Sequence, residues 1–156
     1  PDFILVTIHW GKEYQLKESP EQRELAAYLF EQGAHAIIGS HPHVVQPIGG
    51  RASGDLVVYS MGNMISNQRT RFRDGGILVE LTLSKDDREI SDLAFLPIWV
   101  WKPATKKGTR FTLVPANTDP SAAFLSDMSP QDRYKMELFL QDTRLQLKGR
   151  REVIAP

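Results

Sequence analysis

What this chain can fold into is constrained most by the order of three short segments. Residues 3–9 form a near-continuous apolar run, Ser19-Pro20-Glu21-Gln22 writes a helix start, and Ala36-Ile37-Ile38-Gly39 is a second short apolar run. A run apolar on both faces is expected of a strand covered on both sides in a parallel sheet. Ser19 is placed to accept from first-turn amides, and Pro20 occupies a position that needs no N–H. Gln22 stands at the reciprocal position of a capping box. Leu25, Ala26, Leu29 and Phe30 recur at helical spacing, and Gly33 supplies the stop. Strand, capped helix and strand in succession predict a βαβ unit with a right-handed crossover.

The remainder reads as further strands and one more helix. Residues 56–60 (Leu-Val-Val-Tyr-Ser) predict a third strand, reached through a glycine-rich connection containing Gly49, Gly50 and Gly54. Residues 77–83 alternate apolar and polar, Lys85-Asp86-Asp87 is a turn, and residues 90–98 resume as a strand, together an antiparallel hairpin with one solvated face. Residues 99–101 and 111–114 are expected as short edge strands around the loop 102–108. Ser129-Pro130-Gln131-Asp132 repeats the cap logic and opens a helix to about Lys148. Met136, Phe139, Leu140, Thr143 and Leu147 form its buried stripe. The pattern predicts an α/β fold, an α+β sandwich with a βαβ unit, a hairpin and a C-terminal helix. Residues 1–114 are expected as one domain portion and 115–156 as linker and helix.

Composition removes several classes of function. In 156 residues, 19 basic and 19 acidic side chains cancel, so no global basic field exists to attract nucleic acid. The absence of cysteine excludes disulfides, zinc–thiolate sites and thiol nucleophiles. Ser60 lacks a Gly-x-Ser-x-Gly elbow, and there is no Walker or dinucleotide glycine loop. The chain opens at Pro1 and enters a strand at once, which predicts a piece of a longer protein.

The four histidines are His9, His35, His41 and His43, three of them directly after apolar runs, where open α/β sheets place ligands. Pro42 favours an extended His41-Pro42-His43, with both imidazoles on one face about 6.6 Å apart at Cα. Two such rings converge on one ion or reach two adjacent ions, and His9 from the neighbouring strand end offers a third nitrogen. The competing reading is ordinary surface histidines. His35, between helix and strand, is expected to be structural or exposed.

Three separated motifs then carry a resemblance: His9-Trp10-Gly11-Lys12-Glu13-Tyr14, Gly39-Ser40-His41-Pro42-His43-Val44-Val45-Gln46 and Tyr59-Ser60-Met61-Gly62-Asn63. In order and spacing they are similar to the signature of the bacterial capsule-synthesis proteins of the CapA (PgsA, poly-gamma-glutamate biosynthesis) family, which resembles the calcineurin-like metallophosphoesterases. The resemblance covers residues 1–98 and implies the C-terminal part of a metallophosphoesterase fold with a two-metal centre at strand ends. It implies His9, His41 and His43 as metal ligands and catalytic residues, two divalent transition metal ions in the parent protein, and Glu13 as a carboxylate that stands behind the ligands or faces substrate. Asn63 is expected either to face the cleft or to satisfy turn amides, and Trp10 and Tyr14 to be wall residues.

The departure from the family pattern is the missing N-terminal half, which carries the family's aspartate and Asn-His ligands. The chain alone is therefore expected to be inactive and to need that half as its partner, or to pair as a homodimer through exposed core. The substrate implied is an anionic polymer or a phosphate, with Arg69, Arg71 and Arg73, Arg71 foremost, on one side of the cleft; the alternative for these arginines is a solvated edge strand. By resemblance the parent belongs to the bacterial cell envelope, membrane-anchored and extracytoplasmic. Two other readings compete: a non-catalytic binding or scaffolding module of the same machinery, and an unrelated α/β domain in which His9, His41 and His43 lie far apart.

Overall fold

The computed structural model describes residues 2–51, 54–86, 89–106 and 108–155. Pro1, Asp87 of the expected turn and Lys107 of the expected loop lie outside the described residues. The first sheet contains β1 (Leu5–His9), β2 (Ala36–Ser40), β3 (Ile48–Gly50) and β4 (Leu56–Val58) in the order β1-β2-β4-β3. β1, β2 and β4 run parallel, and β3 returns antiparallel to β4. Helix α1 (Pro20–Glu31) connects β1 to β2, completing the expected βαβ unit. Its capping box is formed on both sides: the Ser19 hydroxyl accepts from the Gln22 amide at 3.2 Å, and Gln22 Oε1 accepts from the Ser19 amide at 3.0 Å. Ala26 and Phe30 of α1 pack with Trp10, Ile37, Val57 and Tyr59 on one face of the sheet. Leu25, expected in that stripe, is exposed.

The second sheet is built on the hairpin of β5 (Gly75–Ser84) and β6 (Glu89–Trp101). The expected edge strand at 99–101 is instead the end of β6. It continues because β9 (Thr112–Pro115) pairs with residues 98–101, while β10 (Arg151–Glu152) pairs with Ala94 and Phe95. A small hairpin of β7 (Ala104–Thr105) and β8 (Gly108–Thr109) lies between β6 and β9 in the chain.

The two sheets meet through Val45, Ile48, Leu56 and Val58 on one side and Ile77 and Phe95 on the other. Helix α2 (Pro130–Gln146) is capped by Ser129, whose hydroxyl accepts from the Asp132 amide at 3.1 Å. Met136 and Phe139 of α2 pack on Trp99 and Trp101 of β6. Phe95, Trp99 and Trp101 share one face of β6 by the period of two, so that face serves the first sheet near Phe95 and α2 near the tryptophans. The segment expected as a linker, 115–129, contains a 3-10 helix (Ala123–Asp127) and adds Ala116, Leu125 and Met128 to the α2 cluster. The described residues thus form an α+β sandwich of two main sheets with two α-helices.

Two strand expectations need correction. β1 is not covered on both faces: it is an edge strand, and Leu5 is 51% exposed. An apolar run reports that burial is wanted, and the described residues place no strand beyond β1 to provide it. The glycine-rich connection is partly ordered as β3, where Gly50 lies so close to Asp55 that a Cβ would meet its carbonyl oxygen. No helix among the described residues is long and apolar enough to cross a membrane.

Candidate metal centre

The parallel register of the first sheet puts the histidines at one edge. β1 and β2 align His9 with Ser40, so His9 ends its strand beside His41. Trp10 secures this end: its amide donates to Ser40 O at 3.1 Å, and its indole N–H donates to Tyr59 O at 2.8 Å. Gly39 permits that closeness, because any Cβ there would meet both Tyr59 O and the Trp10 indole nitrogen.

After Ser40 the chain does not stay extended. His41 has φ 101° and His43 φ 60°, left-handed values that L side chains rarely adopt. The expected extended His-Pro-His is therefore corrected. Pro42 restrains the residue before it, but long-range contacts decide the turn: Pro42 O accepts from the Tyr14 amide at 2.8 Å, and the Gln46 amide donates to Ser60 O at 3.0 Å. Among the described residues only Tyr14, His41, His43 and Phe72 carry positive φ without being glycine, and the first three meet in this cluster. Such conformations cost about 1–3 kcal/mol each and collect at functional sites.

The turn still brings the rings together. His9 and His41 have ring centroids 4.4 Å apart, and His41 and His43 6.0 Å. Glu13, His41 and His43 each offer a ligand atom, and these three atoms lie within 4.8 Å of one another. His43 Nε2 is 3.5 Å from Glu13 Oε1. Ligands around one tetrahedral ion stand roughly 3.3 Å apart, so a small rotation of side chains closes this set on a cation. Two imidazoles and a carboxylate suit a borderline transition ion of the zinc, iron or nickel kind. His9 lies against His41 but outside the three-donor group. Glu13, expected behind the ligands or facing substrate, thus has a donor atom in the cluster itself.

A buried amide network positions the loop that carries Glu13. Gln46 is fully buried, and its Nε2 donates to Gln15 O at 2.8 Å and Lys17 O at 3.1 Å. Its Oε1 accepts from Gln22 Nε2 at 3.0 Å, tying the loop to the start of α1. From the α2 side, Gln146 Nε2 donates to Leu16 O. Gln46 carries a sequence signal, a polar residue in the otherwise apolar stretch after His43, but only the fold shows what it holds.

Asn63 turns inward. Its Oδ1 is 2.9 Å from His43 Nδ1, and its Nδ2 donates to Arg73 O at 2.8 Å. The arginines separate. Arg71 turns away to α2, where Nε and the terminal nitrogen grip Asp142 at 2.8 and 2.7 Å. Arg69 donates to Val100 O and lies over the Trp99 ring. Arg73 alone reaches the cluster: its guanidinium carbon is 3.4 Å from the Tyr14 ring centroid, and Tyr14 stacks on His43 at 5.9 Å. Residues 64–74 form no strand, so the alternation of these arginines does not put them on one face. Asp74, next along, is buried; its desolvation raises its pKa above the ordinary carboxylate range although Trp99 Nε1 donates to it at 2.8 Å. His35 is remote from the cluster, stacked on Phe3 with its Nδ1 accepting from the Ile4 amide at 3.2 Å.

Residues 1–68, which hold the histidines, Glu13 and Asn63, match the family described as bacterial capsule synthesis protein PGA_cap. In that stretch the chain is similar to the bacterial capsule synthesis protein family. The chain is 38% identical over 103 residues to the capsule biosynthesis protein CapA of Bacillus anthracis, an alignment covering 65% of this chain and 25% of that protein. It is 41% identical over 86 residues to the PGA biosynthesis protein CapA of Bacillus subtilis (strain 168), covering 54% of this chain and 22% of that protein. The matched stretch thus spans about a quarter of the length of these capsule proteins.

Proposed function

We propose that this chain supplies the histidine face of a metal-dependent centre that acts on an anionic polymer during capsule synthesis, poly-gamma-glutamate being the polymer of choice, by chemistry like that of a di-metal phosphoesterase. The observation that carries the reading is the convergence of ligand atoms of Glu13, His41 and His43 within 4.8 Å, with both histidines on left-handed backbone. Glu13, His41 and His43 would hold one divalent ion, and His9 is the donor available to a neighbouring second one. Bound metal of this kind lowers the pKa of water and stabilises charge on a transferring phosphoryl or acyl group. The chain's own residues do the rest. Trp10 and Gln46 hold the two ligand loops in register, Asn63 orients His43, and Arg73, flat on Tyr14, presents a cation to carboxylate or phosphate groups of the polymer.

Polypeptide beyond these 156 residues completes the centre in the parent protein. The exposed edge of β1, with Leu5 and Ile4 bare, offers the surface against which that polypeptide packs. The donor cluster also favours one other reading, a module that binds the polymer without turning it over. Among the described residues the three-donor group includes a single carboxylate, Glu13. The test is hydrolysis of a model phosphodiester and of a poly-gamma-glutamate chain by the full-length parent with added zinc or manganese, beside the His41→Ala/His43→Ala version. Turnover lost in the double variant supports the enzyme; polymer binding without turnover supports the module. Turnover by the 156-residue chain alone contradicts the need for completion.

A further inference from the structure

We infer that Asn63 fixes the tautomer of His43, keeping a proton on Nδ1 and leaving Nε2, the nitrogen that faces Glu13, as a bare lone pair. The direction of the Asn63 amide is chemically forced. Its Nδ2 lies 2.8 Å from Arg73 O and 3.3 Å from His43 O, two carbonyl oxygens that only accept. Reversing the amide would set its oxygen against both. The side-chain oxygen therefore faces His43 Nδ1, at 2.9 Å. An amide oxygen cannot donate, so the ring nitrogen must, and in a neutral imidazole the other nitrogen is then the acceptor.

That other nitrogen is 3.5 Å from Glu13 Oε1, beyond the 2.7–3.2 Å usual for an N–H···O bond. In the neutral ring, Nε2 and the Glu13 carboxylate are two acceptors facing one gap, an arrangement that a cation relieves.

Asn63 is well placed for the task. It is 7% exposed, its amide donates to Gly75 O at 2.9 Å, and Gly76 packs so closely that a Cβ there would stand 2.7 Å from Asn63 O. The Asn63 backbone is therefore clamped to the start of β5, and Tyr14 covers the His43 ring face. Asn63 is a positioning residue that acts through His43. Its consequence for metal binding rests on the proposed function; the tautomer itself does not.

The experiment is a long-range proton–nitrogen correlation spectrum of the ¹⁵N-labelled, chelator-treated chain at about pH 8.5, above the ordinary imidazole range. His43→Gln identifies the His43 signals. His43 is expected to show a protonated, pyrrole-like Nδ1 and a pyridine-like Nε2. In Asn63→Ala the two signals move towards a mixture of tautomers, whereas Asn63→Asp, which keeps an acceptor, retains the Nδ1–H form. A wild-type His43 protonated at Nε2, or a spectrum unchanged in Asn63→Ala, overturns the inference, and the wild-type spectrum decides even where a variant fails to fold. In a zinc titration of the same samples, Asn63→Ala is expected to bind about 10–100-fold more weakly than wild type. An Nδ1–H tautomer in a wild-type protein that takes up no metal would uphold the role of Asn63 while removing the metal reading.

Discussion

Gly39→Ala tests how the site end of the first sheet is held. Gly39 has ordinary strand geometry, so the new methyl group meets a lack of space rather than a forbidden φ. Its Cβ would fall inside contact distance of Tyr59 O and Trp10 Nε1 and 2.9 Å from Tyr59 C. Tyr59 O is backbone, and the Trp10 indole is donating to that same oxygen at 2.8 Å. Relief requires β2 and the residues after β4 to separate, or the buried Trp10–Tyr59 bond to break. Overpacking costs about 1–3 kcal/mol, and leaving a buried donor and acceptor unpaired about 1–3 more. The sum, roughly 2–6 kcal/mol, is a large part of the about 5–15 kcal/mol that holds an ordinary domain folded. Urea unfolding followed by tryptophan fluorescence should show that loss as a lower midpoint at similar slope. Gly33→Ala is the control: Gly33 has φ 96° and nothing within 4 Å of its Cβ position, so only backbone strain of about 1–2 kcal/mol is expected. A Gly39→Ala protein as stable as wild type, with unchanged tryptophan emission, would refute the claim that Gly39 sets this spacing.

Other outcomes follow from the same structure. Asp74 is buried with a raised pKa, so the folded state holds its proton more tightly than the unfolded state. Stability from this group is greatest below the unfolded carboxylate pKa and falls as pH rises to the folded value. Asp74→Asn keeps an acceptor for Trp99 and should remove that downward slope from a plot of stability against pH; an identical plot would contradict the burial argument. Ser129→Ala should cost about 1 kcal/mol in urea unfolding by uncapping α2, and no measurable loss would place helix stability elsewhere. Arg71→Ala should loosen α2 through Asp142 and leave metal uptake unchanged. Arg73→Ala should weaken poly-gamma-glutamate binding by the parent protein with little change in stability; equal effects of the two on polymer binding would contradict their separation.

Both helices are legible in the sequence because capping is local: Ser19 with Gln22, and Ser129 with Asp132, lie three residues apart. The burial stripe of α2 follows from helical spacing, with Met136, Phe139, Thr143 and Leu147 buried and Leu140 partly buried against the cluster of Met136 and Phe139. The edge position of β1 is not legible, since Leu5 is as apolar as a covered residue and only sheet order reveals the missing neighbour. The convergence of His9, His41 and His43 follows from strands ending together, but the left-handed turn that aims them depends on Tyr14 and Gln46, contacts from distant parts of the chain. Glu13 and Asn63 are visible in their motifs, yet their atoms' distances to His43 are not. The three arginines illustrate the limit most clearly. Equal spacing suggests one face, but a loop has no period, and Arg69, Arg71 and Arg73 go three separate ways.

Glu13, His41 and His43 are expected to form a metal site, and metal content measures it directly. Plasma mass spectrometry on the purified chain, loaded with zinc or manganese and then desalted, should be run beside Glu13→Gln and His41→Ala/His43→Ala. Retained metal is expected in the wild type, less in Glu13→Gln and none in the double histidine variant. Equal metal in all three proteins, or none in a wild-type protein whose fold is intact, would contradict it.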